Sequence, residues 1–328
     1  VMDPTVQYIG DIKALKETDL YRVRGVEGVD WAVPMYYGTI QARLHNGVIQ
    51  TCILIGVDDA TLIGAPPIMV QGKPIDLRID GGVIVDQVGA ATKLSTDSKK
   101  YGHIPLQIGD RMELNDNRAV VVGVCSVSRT FQSQPVLYTT YSQATLWVPS
   151  QRKLLSFVLA HSKPGSDPDV VAQNITATTG LAAYSKHQLQ ALTLRYYMRY
   201  TGIFVNFGVA IILGFIIGTA IAGQTLYNFT MDNLAYFGIF KAMGADNALL
   251  AKMVLLQALF VSGIGWGIGM GATALFGLLS ANSEISFCMP LWLYISSAFS
   301  ILLISTATAF VSIRRVVYVD PAIVFRGG

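Results

Sequence analysis

Three stretches of this chain carry no charged residue: 32 residues from Tyr200 to Met231, 31 from Met253 to Ser283 and 29 from Ile285 to Ile313. Each exceeds the roughly 20 residues a helix needs to cross a bilayer, whereas helices of soluble domains average about 11 to 12. Three such runs in succession predict an integral membrane protein with spans at about 203–227, 249–279 and 290–313. The charge is displaced to the other end. Only 14% of all residues are charged, and residues 1–199 hold 19 of the 24 Lys and Arg and 17 of the 21 Asp and Glu. That segment is expected to be a folded domain outside the bilayer.

Residues 1–190 show strand signals mixed with one clear helix, so an α+β domain is predicted. Strands are expected at 32–37, 39–44 and 50–57, the last two joined through His45-Asn46-Gly47, and a second hairpin at 111–114 and 119–126 through Asn115-Asp116-Asn117. A strand at 155–160 leads into a helix over 169–178 that Gly180 stops, and Ala182 to Ser185 read as a returning strand. Lys186 to Tyr200 forms a stalk helix, taken as 186–201, that should run without a linker into the first span. Tyr196, Tyr197 and Tyr200 suit a membrane-interface belt, and packing of an ordinary amphipathic helix explains them equally well. The sequence begins Val1-Met2-Asp3-Pro4 with no leader or span, which suggests a further membrane helix before residue 1.

The segment 202–328 reads as the membrane domain. Gly214, Gly218 and Ala222 lie four apart in the first span, and Gly263, Gly267 and Gly271 do so in the second, so both are expected to pack closely through small residues. The Gly267-x-Gly269-x-x-Ala272 match to a dinucleotide fingerprint lacks the strand and turn that motif needs. Arg314, Arg315 and Arg326 after the last span place the C-terminal end in the cytoplasm and residues 1–199 outside.

Between the first two spans, 230–244 is predicted to be a short cytoplasmic helix. Thr230 would cap it, Asp232 would favour its start, Lys241 its end, and Gly244 would close it in the left-handed conformation. Met231, Leu234, Ala235, Gly238, Ile239, Ala242 and Met243 form one apolar or small face, with Phe237, Phe240 and Lys241 pointing elsewhere. Such a helix either rests on the membrane or docks in a groove of a partner.

Other chemistry is poorly represented. A net charge of +3 offers no nucleic-acid surface. Cys52, Cys125 and Cys288 have neither disulfide nor metal spacing. His45, His103, His161 and His187 are scattered, no nucleophile or zinc motif occurs, and Asp58-Asp59 after a strand reads as a solvated turn. No phosphate-binding Gly-x-x-x-x-Gly-Lys-Ser/Thr loop is present.

The run Gly223-Gln224-Thr225-Leu226-Tyr227, then Asp232-Asn233-Leu234 and Phe240-Lys241-Ala242-Met243-Gly244-Ala245, resembles permease subunits of the MacB/FtsX superfamily of ABC transporters, most closely the DevC-like branch. The ending Arg314-Arg315, Asp320-Pro321-Ala322, Arg326-Gly327 is similar, and Ile108-Gly109-Asp110 with Val121-Val122-Gly123-Val124 looks like that family's extracytoplasmic core. The family commonly carries acidic residues where Tyr236 and Gln257 stand here.

The resemblance implies a MacB-like periplasmic core joined to an FtsX-like transmembrane domain in the bacterial inner membrane. Such a subunit is not an enzyme and holds no cofactor, since ATP is bound by a separate ATPase. Partners would be that ATPase, a second permease copy, and a periplasmic adaptor with an outer-membrane channel, moving a lipid-like or amphipathic cargo outward. An FtsX-like regulator that activates an outside enzyme without transport is the alternative, and a membrane-anchored binding module a third. ATPase coupling falls to Asp232, Asn233, Leu234, Tyr236, Phe237, Phe240, Lys241, Met243 and Gly244.

Overall fold

The computed structural model describes residues 1–98, 102–127, 134–148, 155–280, 287 and 289–317. It divides into two compact units, with the boundary after Thr201.

In the first unit, helix α1 (Glu17–Arg24) precedes strand β1 (Val29–Arg43), which joins the two predicted strands at 32–37 and 39–44 into one. Its first half pairs antiparallel with β10 (Phe157–Ser162) and its second half with β2 (Ile49–Val57). The changeover falls between Met35 and Tyr36, and at Gly38, within the β2 ladder, the Tyr36 side chain occupies the place where a Cβ would stand. Beyond β2 the order runs through β9 (Val136–Thr140), β4 (Gly82–Asp86) and β8 (Asn117–Cys125) to β3 (Met69–Gln71), while β7 (Arg111–Leu114) pairs with both β8 and the end of β1. Strands β1, β2, β9, β4, β8 and β7 therefore form a closed hydrogen-bonded circuit. Closure removes the open edges a sheet this size would otherwise expose.

Both faces of the circuit are buried. Ile40, Leu54, Val83, Val121 and Leu137 point inward with Leu94 and Trp147 of α3 (Tyr141–Trp147), whereas Ile53, Ile84, Val122 and Tyr138 pack outside against Leu77 of a 3-10 turn, Pro74–Arg78. The β7–β8 turn places Asn115 and Asp116 at φ of 46° and 64°. Two consecutive positive φ values are what a tight type I′ hairpin demands, and Asn and Asp tolerate them. Short strands β5 (Thr96–Ser98) and β6 (Gly102–Ile104) form a separate ribbon.

A second core lies where α1 and α4 (Pro168–Thr179) cover β10 and the first half of β1, through Val23, Val158, Val171 and Ile175. Gly180 ends α4 at φ 73°. Ala182 to Ser185 do not form the returning strand expected of them: the chain makes one bridge, Ala182 to Met2, and Ser185 immediately caps α5 (Lys186–Tyr200). The Ser185 hydroxyl accepts from Gln188 N–H and the Gln188 side-chain Oε1 accepts from Ser185 N–H, so the helix start satisfies itself.

Helix α5 does not continue into the first span. Thr201 closes it and Gly202 sits at φ 63° before α6 (Ile203–Asp232) begins. The expectation of a seamless stalk missed the one residue type that takes the left-handed conformation at no steric cost.

The second unit contains α6, the short α7 (Leu234–Ala242), α8 (Asn247–Leu279) and α9 (Leu291–Val317). Three of these, Ile203–Asp232, Asn247–Leu279 and Leu291–Arg314, are long and apolar enough to cross a membrane. Pro290 stands just before α9 rather than inside it, its carbonyl accepting from Leu293 N–H at 3.0 Å. Cys288 and the segments carrying Glu284 and Asp320 lie outside the described residues.

The Asp86 carboxylate joins three elements of the first unit. It accepts from Gly89 N–H of α2 (Gln87–Ala91) and from Val136 N–H of β9, both at 2.7 Å and both buried. Replacing Asp86 with Ala leaves two buried donors unsatisfied and is expected to cost about 2–4 kcal/mol. In a thermal melt of the detergent-solubilised chain the first unit should lose roughly 5–15 °C, and Asp86→Asn less.

Burial pushes the Cys52 and Cys125 thiols up to about 12. Raised folded values mean that these thiols contribute stability in full below their ordinary value of 9.0, and that this contribution fades as pH rises toward 12. In a chain with Cys288→Ser, maleimide should leave both thiols unmodified at pH 8 until denaturant is added.

Candidate functional site

The connection between α6 and α8 is where the predicted site residues gather. Its helix is shorter than expected. Thr230 lies inside α6, buried, with its hydroxyl donating to Leu226 O at 2.8 Å, so it caps nothing. Asp232 is the last residue of α6, at the negative end of that helix dipole rather than the positive end of the next. Asn233 makes the turn: its side-chain amide donates to Phe229 O at 2.8 Å, and its carbonyl accepts from Tyr236 N–H at 3.1 Å to start α7. Gly244 closes α7 as expected, at φ 96°.

The faces of α7 also differ from the expected ones. The inward stripe is Leu234, Phe237, Gly238 and Lys241, spaced at three and four. Phe237, 4% exposed, packs on Leu250 and Val254 of α8 with Ile313 of α9. Ala235, Tyr236, Ile239, Phe240, Ala242 and Met243 face out, with Tyr236 63% and Met243 69% exposed. Almost every α7 position is apolar or small, so periodicity alone does not choose between the stripes. The Phe237 ring takes the inner one, over Leu250 and Val254, while the Tyr236 and Phe240 rings stay outside.

Lys241 does not project freely. Its Nζ donates to the carbonyl of Val317, the last residue of α9, at 2.8 Å. A cation on an unsatisfied terminal carbonyl both completes a hydrogen bond and meets the negative end of the helix dipole. Lys241 thus holds α7 to the end of the third long helix.

The glycines behave differently from expectation. A Cβ at Gly214, Gly218, Gly263, Gly267 or Gly271 would meet nothing within 4 Å. These small-residue faces are open within the chain. Packing is made instead by α9 against α8 and α6: Ser262 and Ser305 hydroxyls touch across α8 and α9, Trp266 Nε1 donates to Ser297 Oγ at 3.2 Å, and a Cβ added at Gly223 of α6 would stand 3.4 Å from the Thr308 methyl. Hydroxyl pairs of this kind tie helices together where water cannot compete.

Elsewhere the candidates are structural. Asp58 accepts from Thr61 N–H and hydroxyl, and Asp59 accepts from Ser142 N–H at 3.2 Å, as a polar turn does. Among the described residues no His, Cys, Asp and Glu group has the arrangement of a metal site. One aromatic group went unseen in the sequence: Tyr8 stacks on Tyr196 at 4.3 Å and meets Tyr197 edge-on, which pins the N-terminal segment to α5.

A closed strand domain followed by three membrane-length helices, with a short helix between the first two, is the architecture of a membrane protein that carries a large folded domain. The chain matches two family models, a MacB-like periplasmic core domain over residues 3–178 and an FtsX-like permease C-terminal region over residues 208–321. It belongs to the MacB/FtsX family of ABC transporter permeases, as a multi-pass inner-membrane protein with a periplasmic domain. An uncharacterized ABC transporter permease of Mycobacterium tuberculosis, Rv0072, is 22% identical over 98% of this chain and 81% of its own length. Another of Mycobacterium bovis, Mb2592, is 22% identical over 95% and 79% respectively. The extracellular domain of the noncanonic ABC-type transporter YknZ from Gram-positive bacteria is 16% identical over 56% of this chain and 96% of that domain, with a TM-score of 0.38.

Replacing Lys241 with Met should release the end of α9. Hydrogen exchange at residues 313–317 is expected to rise about two- to fivefold, the scale of one exposed helix-end cation, while the middle of α8 is unchanged.

Proposed function

We propose that this chain is the permease subunit of an ABC exporter, coupled through α7 to a separate ATPase. The observation that carries the reading is the two-faced α7. Phe237 and Lys241 fix its inner face to α8 and α9, and its outer face presents Tyr236, Ile239, Phe240 and Met243. An apolar ridge on a rigidly held helix suits a groove in a partner. Motion of the ridge then moves the ends of all three long helices together, because α7 follows α6 and is tied to the other two.

In this reading a second permease copy completes the membrane part, and the open faces at Gly214, Gly218, Gly263, Gly267 and Gly271 are available to it. The cargo is lipid-like or amphipathic and passes with the help of a periplasmic adaptor and outer-membrane channel. ATP stays with the partner, and this subunit carries no cofactor. The stalk α5 transmits motion through the break at Thr201-Gly202. The second reading, an FtsX-like regulator that drives an outside enzyme without transport, uses the same α7 coupling and differs in whether cargo leaves the cell.

The chain, expressed with its neighbouring genes and purified through a C-terminal tag, should bring down an ABC ATPase. Tyr236→Asp and Met243→Asp place charges on the outer ridge without touching the inner contacts, and should lower ATPase recovery about tenfold or more at unchanged permease yield. Lys241→Glu and Phe240→Asp should weaken docking as well, the former also loosening α9. Full ATPase recovery with both ridge variants would remove α7 as the coupling element.

A further inference from the structure

The first unit contains a cavity that the coupling scheme does not use. It measures about 490 Å³ and opens between the outer edge of β10, α4 and the first turn of α5. That volume falls within the roughly 300–1,000 Å³ of small-molecule sites. Its walls are apolar: Val171 and Ile175 from α4, Phe157 from β10, Met35 from β1, Leu189 from α5 and Ile9 from the N-terminal segment. Protein interiors close such gaps where nothing is gained by leaving them, since a wall without a facing atom forfeits its dispersion contacts.

Charged and hydroxyl-bearing side chains in the lining are few. Lys186 and Ser185 stand at the start of α5, and His161 and Ser162 at the end of β10 remote from Phe157. The His161 ring is held in place by stacking on Trp31, at 5.2 Å and 12° between planes, and by Asp30 at 3.8 Å. Lys186 makes no ion pair among the described residues. The capping box of α5 engages the N–H groups of Ser185 and Gln188, so the first-turn N–H groups of Lys186 and His187 are left at the positive end of a 15-residue helix. An apolar chamber with the Lys186 ammonium in its lining at the amino end of α5 is complementary to a molecule with a long apolar tail and an anionic head.

A peptide strand is a poorer fit. Val1 and Val158 exchange hydrogen bonds in both directions at 2.8 and 3.0 Å, and Lys163 N–H turns away to Gly28 O. Little free β10 edge remains between them for another strand to join.

We infer that this cavity binds a single-chain anionic amphiphile, its tail among Ile175, Leu189 and Phe157 and its head at Lys186 and the amino end of α5. The inference involves only residues of the first unit and does not depend on the ATPase-coupled reading.

The test uses the full chain in phosphatidylcholine nanodiscs with a photoactivatable palmitic acid, and in parallel the corresponding palmityl alcohol, with labelled peptides mapped by mass spectrometry. Peptides containing Ile175, Leu189 or Phe157 should be labelled by the acid. Leu189→Trp, which fills the chamber, should cut that labelling about tenfold, while labelling of α6 by lipid-dissolved probe stays constant as an internal standard. Lys186→Glu, at an exposed position that leaves the packing alone, should cut labelling by the acid about tenfold and leave the alcohol unaffected. Labelling confined to the three long helices, or first-unit labelling unchanged in both variants, overturns the site. Equal losses for acid and alcohol in Lys186→Glu overturn the anionic head. Should Leu189→Trp fail to fold, Lys186→Glu decides alone.

Discussion

A backbone in hydrocarbon has to satisfy its own N–H and C=O groups, and this requirement decides where the chain is allowed to turn. Between α6 and α8 the turns fall at Asn233 and at Met243-Gly244, and each is closed by a specific acceptor or donor. Asn233 returns its amide to Phe229 O, Gly244 N–H reaches Lys241 O at 3.1 Å, and Lys241 completes the terminal carbonyl of α9. The three long helices run unbroken between these points. A short helix placed at such a junction inherits its rigidity from the ends it completes, so α7 is part of the membrane unit rather than a loop hung beneath it.

The first unit solves the corresponding problem with strands. Its circuit closes because β7 bridges β8 and β1, and two hydrogen-bonded pairs, Ala42 with Leu114 and Arg43 with Glu113, complete the ring. Arg43 also reaches the Glu113 carboxylate at 3.2 Å, but with both side chains about half exposed the pair adds little to the backbone ladder. Where β1 leaves the ring to pair with β10, a true edge appears, and the N-terminal segment and α4 crowd around it. The amphiphile chamber lies at this departure from closure, which is why a regular domain retains a gap there.

Much of this was legible in the sequence because it rests on composition or on single turn residues. The three spans follow from absent charge, and the turns at Asn115-Asp116, Gly180 and Gly244 from residues that adopt positive φ cheaply. What remained hidden depended on choices between equals. Leu234, Phe237 and Gly238 compete with Ala235, Ile239 and Met243 for the inner face of α7, and only the volume available over Leu250 and Val254 selects Phe237. The same holds for β1, where Gly38 read as a strand boundary is a place for the Tyr36 ring, and for Ala182, whose β signal is used on one bridge to Met2. The open glycine faces are a further case. Small residues four apart state that close approach is possible, not which helix takes the place.

The proposal that α7 docks in a partner rests on its outer ridge. A helix that merely rests on the membrane needs one apolar face and one polar face, because half of it meets water. Here Phe237 already uses the protein side, yet the opposite side offers Tyr236, Phe240 and Met243, and Lys241, the one cation of the helix, is turned inward to α9. No charged residue of α7 is left to face solvent. A groove matching this chain should then be correspondingly apolar at its centre, with recognition carried by shape and burial of the ridge rather than by an ion pair, and docking should be less sensitive to salt than an ion-paired interface.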